Sequence, residues 1–115
     1  MRIKRSVNAL KKRRKVLKAA KGYWGSHSKL YRVAKQSVNK AQMNAYIGRK
    51  NKKRDMRTLW IARINAACRM NDISYSKFMH GLKVNNITLN RKILADIAVN
   101  DANTFASLCN TAKNA

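Results

Sequence analysis

From Arg2 to Arg57 the chain carries twenty lysines and arginines against a single carboxylate, Asp55. Like charges at that density repel one another along any helix that contains them, so this stretch is a poor self-sufficient globule. A polyanionic partner is the economical explanation, and nucleic acid matches such a footprint best. The imbalance ends abruptly. Through Asp72 there are 22 basic and 2 acidic residues, a net +20, whereas Ile73 to Ala115 contributes only +3 of the formal +23. The chain reads as a charged front and a nearly ordinary back.

Little is available for site chemistry. Four aspartates, two histidines and two cysteines are spread over 115 residues. His27 and His80 have no carboxylate within four residues to orient them, so each reads as a surface or polar-contact residue. Asp72, Ser74 and Ser76 lie close together without an adjacent histidine, and helix capping suffices for them. Cys68 and Cys109 are 41 residues apart with no CxxC spacing, so neither a zinc site nor a disulfide framework is expected. Both fall on apolar helix faces and read as buried, reduced thiols. No enzyme, metal, cofactor or small-molecule substrate is expected. No stretch approaches the apolar run of about 18 to 20 residues that crosses a membrane. The basic N-terminus looks superficially like a transit peptide, but the same composition persists to Arg57, which reads as mature protein.

There is no proline and there are only four glycines, so long helices are permitted. Residues 1–5 are expected to form an extended tail. Ser6 is the candidate cap of a helix from Val7 through Lys21, whose apolar members Val7, Leu10, Leu17 and Ala20 are too few to bury it. Lys21-Gly22-Tyr23-Trp24-Gly25-Ser26 predicts a turn, with Ser26 capping the next helix. That helix is expected to be a single long one from His27 to Asn71, with Gly48 its one candidate bend. Its first half carries a stripe of small residues (Leu30, Ala34, Ser37, Val38, Ala41, Ala45, Gly48) about 100° wide, expected to project from any core. Beyond it, Trp60, Ile61, Ile64, Ala67 and Cys68 gather on a face roughly 120° wide, with Thr58, Asn65 and Arg69 pointing away.

Three short amphipathic helices complete the chain. Ser74 caps one bearing Tyr75, Phe78, Met79 and Leu82. Asn90 caps one bearing Ile93, Leu94, Ile97 and Ala98, and Asp101 one bearing Phe105, Leu108, Cys109 and Ala112. No strand alternation occurs. The expected fold is all-α: a basic helical arm over residues 1–57 and a compact helical domain over 58–115, with the long helix continuing to about residue 71.

The arm carries the candidate contacts. The run Lys11, Lys12, Arg13, Arg14 and Lys15 and the run Arg49 to Arg54 (Arg49, Lys50, Lys52, Lys53, Arg54) put positive charge around a whole helix. Solvation does not need one sign of charge, whereas contact with phosphates on several sides does. Arg2, Lys4, Arg5, Lys18, Lys21, Lys29, Arg32, Lys35 and Arg57 extend the same surface. Tyr23, Trp24 and His27 form an aromatic knot inside it, suited either to stacking on unpaired bases or to packing a helical corner. Composition alone leaves a histone-like, non-specific DNA-binding protein as the alternative. A membrane-active cationic helix would need bulky apolar residues opposite its charges, where this chain has Ala, Ser and Gly.

Several stretches are more specific. Lys21-Gly22-Tyr23-Trp24-Gly25, Lys53-Arg54-Asp55, the run Leu59 to Ala67 (LWIARINAA), Ile73-Ser74-Tyr75-Ser76 and the run Leu89 to Ala98 (LNRKILADIA) occur in this order. Together they resemble the bacterial L-twenty family of large-subunit (50S) ribosomal proteins over nearly the whole chain. The resemblance implies a helical N-terminal extension threaded into large-subunit (23S) ribosomal RNA, its basic positions falling between Arg2 and Arg57, and a small helical domain on an RNA junction. It further implies a role in early large-subunit assembly, messenger-RNA autoregulation in some members, neighbouring ribosomal proteins as partners, no homo-oligomer, and residence on the cytoplasmic ribosome. Three departures from the family pattern occur: Ile47-Gly48 replaces a charged Arg-Asp pair, Asp72 a helix-ending glycine, and Cys68 a small alanine.

Overall fold

The computed structural model describes residues 4–115, all-α among the described residues. The candidate contact Arg2 and most of the expected tail lie outside them. Five helices are joined by short turns: α1 (Ser6–Ala19), α2 (Tyr31–Met70), α3 (Tyr75–Val84), α4 (Arg91–Asn100) and α5 (Ala102–Lys113), with a short 3-10 helix at Gly25–Ser28. They belong to two compact units, the first ending at Lys50 and the second running from Asn51 to Ala115.

In the first unit the turn forms as its glycines predict. Gly22 and Gly25 take φ of +88° and +60°, the left-handed region where a side chain is penalised. Several expectations are corrected here. Ser6 is not a cap: Arg5 occupies that position, Ser6 is already helical, and no side chain accepts from the first turn. α1 stops at Ala19 instead of Lys21. Ser26 does not cap α2 either. It lies inside the 3-10 helix with His27, and its carbonyl accepts from Lys29 and Leu30 (3.1 and 2.9 Å), so α2 starts only at Tyr31.

The arm is also not devoid of a core. Ala20, Ala34 and Val38 are buried together, with Val16, Leu17 and Tyr23 packed against them. The glycine-bearing turn brings the two helices close, and the small side chains Ala20 and Ala34 permit that approach. Arg13 lies over the Tyr31 ring at 5.2 Å, a cation–π contact across the same hairpin. Leu30, counted in the stripe, is exposed. From Gln42 to Leu59 every residue is exposed, and α2 is continuous through Gly48.

In the second unit the three capping signals hold. Ser74, Asn90 and Asp101 accept from the backbone N–H groups of Lys77, Ile93 and Thr104. Ile64 and Cys68 of α2 join Phe78, Leu82, Leu94, Phe105, Cys109 and Ala112 in one buried cluster, with Trp60 and Ala67 packed on it. α5 packs on both α3 and α4, and the Phe78 and Phe105 rings meet at 5.2 Å, tilted by 38°. Ile93 is corrected: it is 44% exposed, and Leu94 and Ala95 are the buried residues of that turn. Asn65, expected to point away, is half-buried.

α2 ends where a glycine was expected and an aspartate stands. Asp72 takes φ +53°, its N–H donates to Arg69 O (3.2 Å), and Ile73 N–H donates to Cys68 O (3.1 Å). This is a Schellman motif, with Ile73 and Cys68 supplying the accompanying apolar contact in the core. α3 repeats it with Asn86 at φ +56°, donating to Lys83 O, while Ile87 donates to Leu82 O.

Candidate nucleic-acid interface

Helix geometry turns the basic runs into surfaces. Five consecutive cations at about 100° per residue cover the whole circumference of α1, and Lys11, Lys12, Arg13, Arg14 and Lys15 are all exposed. Lys18 and Lys21 continue that surface to the turn, Lys4 and Arg5 precede it, and all four are exposed. Lys29, Arg32 and Lys35 are likewise exposed around the start of α2. Arg49, Lys50, Lys52, Lys53, Arg54 and Arg57 occupy the stretch of α2 in which nothing is buried. Local contacts there are few: Arg54 donates to Asn51 Oδ1 at 3.5 Å, and Lys50 Nζ sits 4.4 Å from the Tyr46 ring centroid. The cations remain available to an external anion.

The aromatic knot separates into three roles. Tyr23 turns inward onto the Ala20–Ala34–Val38 cluster. His27 Nδ1 is hydrogen-bonded to Ser37 Oγ at 2.8 Å, tying the 3-10 helix to α2. Trp24 has no such partner and faces solvent, 91% exposed.

A second group of cations was missed in the sequence. Arg63, Arg91 and Lys92 join the already expected Arg57 in bordering shallow grooves around Trp60 and Asn90 in the second unit. Arg91 is oriented by its Nε donating to the Tyr75 hydroxyl at 2.9 Å. Its signal was available, since Arg91 and Lys92 open α4 directly after the Asn90 cap, but scattered cations do not stand out beside the runs of the arm. His80 is exposed, as expected. Among the described residues no three His, Cys, Asp or Glu side chains cluster to hold a metal ion, and no helix is long and apolar enough to cross a membrane.

The buried thiols form a pair. Burial, helped by Cys109 beside it, pushes Cys68 up to about 12, and burial pushes Cys109 up as well. Both are free cysteines, as expected. At neutral pH neither is a nucleophile or a ligand.

Comparison with known proteins accords with this geometry. The chain is 60% identical over 112 residues to the large ribosomal subunit protein bL20 of Clostridium botulinum (strain Eklund 17B / Type B), covering 97% of this chain and 94% of that one. It is 60% identical over 113 residues to the bL20 protein of Finegoldia magna, covering 98% and 97%. The bL20 protein of Clostridium beijerinckii is 58% identical over 112 residues, covering 97% and 94%. The family model for ribosomal protein L20 matches residues 2–108, so the chain belongs to the ribosomal protein L20 family.

Proposed function

We propose that this chain binds large-subunit ribosomal RNA directly and promotes early assembly of the subunit by neutralising phosphates where RNA segments converge. Membership of the family makes it a structural constituent of the large ribosomal subunit of the cytoplasmic ribosome, not an enzyme. One observation carries the finer reading: exposed cations surround α1 and the exposed stretch of α2, and Asp55 is the lone acid among them. A surface of one sign on every side of a thin helix suits phosphates approaching from several directions. The work divides near Arg57 and Thr58. Residues 1–57 supply sequence-indifferent affinity, and 58–115 supply a prefolded shape that selects the docking site, its Arg63–Arg91–Lys92 rim adding contacts next to Arg57. Neighbouring ribosomal proteins are the further partners, and the same RNA-binding surface suits messenger-RNA autoregulation.

Salt titration of binding to a large-subunit RNA transcript tests this. If about eight phosphates are neutralised, the log–log slope is on the order of −6. Replacing Lys11, Lys12, Arg14 and Lys15 with glutamine spares Arg13 and its Tyr31 contact. The slope should then flatten by about 3, close to one unit for each phosphate no longer neutralised. An unchanged slope counts against the proposal. Equal affinity for duplex DNA at matched salt would favour a histone-like protein instead.

A further inference from the structure

Trp24 carries one of the chain's two indoles and sits 91% exposed, while its neighbour Tyr23 is packed inward. An indole left in water is no accident of a loose loop here. Gly22 and Gly25 bracket the two rings with positive φ, and Tyr23 N–H donates to Ala20 O at 3.1 Å. The 3-10 helix comes next, closed by Ser28 Oγ–H donating to Gly25 O at 3.0 Å and tied to α2 through His27 and Ser37. Trp24 itself is extended, at φ −72° and ψ 138°. A Cβ added at Gly22 or Gly25 would meet nothing within 4 Å beyond its chain neighbours, so the backbone conformation and not crowding calls for glycine there. The turn holds one ring in and one ring out.

We propose that Trp24 is a stacking platform for an unpaired base of the RNA, with Tyr23 and His27 acting only as positioning residues. The inference rests on the RNA-binding reading of the arm and adds to it the ligand chemistry of one residue. Lys21 and Lys29, which flank Trp24 along the chain, are exposed and free to pair with the phosphates of a stacked nucleotide. Stacking is tolerant of sequence because every base has a π-face, and Trp offers the largest face for it. An apolar pocket on a protein would also cover an indole, but the nearest carboxylate in sequence is Asp55, and this surface is otherwise cationic.

The chain has two tryptophans, and Trp60 is packed on the core of the second unit, so Trp60→Phe in the full chain leaves Trp24 as the sole indole, excited apart from the four tyrosines at the red edge of the absorption band. Adding a large-subunit RNA transcript should quench its emission severalfold and shield it from acrylamide, whereas burial in an apolar protein pocket would shift it to the blue. In the parent background, Trp24→Ala should weaken binding by about tenfold or more, the measured range for losing one stacked base. The salt slope should stay unchanged, because no cation is removed, and Trp24→Phe should keep most of the affinity. Tyr23→Phe, which retains the ring in the core, should bind like the parent. Quenching absent at saturating RNA, or Trp24→Ala binding as tightly as the parent, overturns the proposal while leaving the RNA-binding reading intact. Failure of the parent chain to bind the transcript at all would instead sink that underlying reading.

Discussion

Gly81 offers a test in which two physical effects have opposite signs. It lies inside α3, where replacing glycine with alanine ordinarily stabilises a helix by about 1 kcal/mol. A Cβ there would press on the backbone oxygen of Ala112 and lie 2.7 Å from its Cα and 2.8 Å from its Cβ. None of these is the far end of a flexible side chain. Relief requires α3 and α5 to separate, which loosens the Phe78–Phe105 contact and the hydrogen bond from Asn85 Nδ2 to Thr111 O at 3.2 Å. Forcing extra atoms into a well-packed core costs about 1–3 kcal/mol even when side chains can adjust, and here backbone must move. The packing loss therefore exceeds the propensity gain, and Gly81→Ala should be destabilised by about 2 kcal/mol or more.

Thermal unfolding followed by far-ultraviolet circular dichroism reads this directly. The melting temperature should fall by on the order of 10 °C for a domain of this size. Ala112→Gly removes only the Cβ clash, leaving the oxygen and Cα in place, so the double variant should remain well below the parent. A Gly81→Ala protein as stable as the parent, or full rescue by Ala112→Gly, would refute the close approach of α3 and α5 as the reason for the glycine.

Asp72→Gly should stabilise the second unit by about 1 kcal/mol, since it relieves left-handed strain and removes a negative charge from the C-terminal end of α2, less the entropy that glycine adds to the unfolded chain; a urea midpoint at or below the parent's would contradict this. For the thiol pair the sign comes from burial. With Cys68 pushed up to about 12 from an ordinary 9.0 and Cys109 raised as well, the folded state keeps protons that the unfolded state releases. The stability they contribute is complete below pH 9 and declines as pH rises toward 12. A Cys68→Ala/Cys109→Ala variant should thus lose less stability between pH 8.5 and 10.5 than the parent, and equal losses would rule the pair out as the source.

The capping signals show what a sequence can and cannot convey. Ser6, Ser26, Ser74 and Asn90 are all suitable cap residues, yet only the last two cap. The difference lies in the flanking apolar residues. Ile73 before Ser74 and Phe78 four residues after it are both in the core, and around Asn90 Leu94 is in the core with Leu89 packed against it. This is the hydrophobic staple that fixes how the chain enters a helix. Ser6 is preceded by Arg5 and followed by the exposed Leu10, and Ser26 lies between Gly25 and the exposed Leu30. The staple was readable in the sequence, and would have separated the working caps from the idle ones. Asp101 lacks a staple but binds both the N–H and the hydroxyl of Thr104, a local pair that needs no core.

The features that stayed hidden depend on which faces meet. The periodicity of α2 and α5 marks Cys68 and Cys109 as inward-facing, but nothing within either helix says that the two thiols touch. The same holds for Ala20 against Ala34 and Val38, which look inert until the turn at Gly22 brings their helices together. The interface has the opposite character. Charge marks its extent from sequence alone, because repulsion acts without regard to tertiary detail, yet for that reason it ranks no cation above another. In the structure those from Lys4 to Arg57 are uniformly exposed. Only a residue whose exposure conflicts with its own chemistry carries more information than the surface around it. Trp24 is such a residue, and it is distinguished by the fold that turns Tyr23 inward and leaves the indole outside.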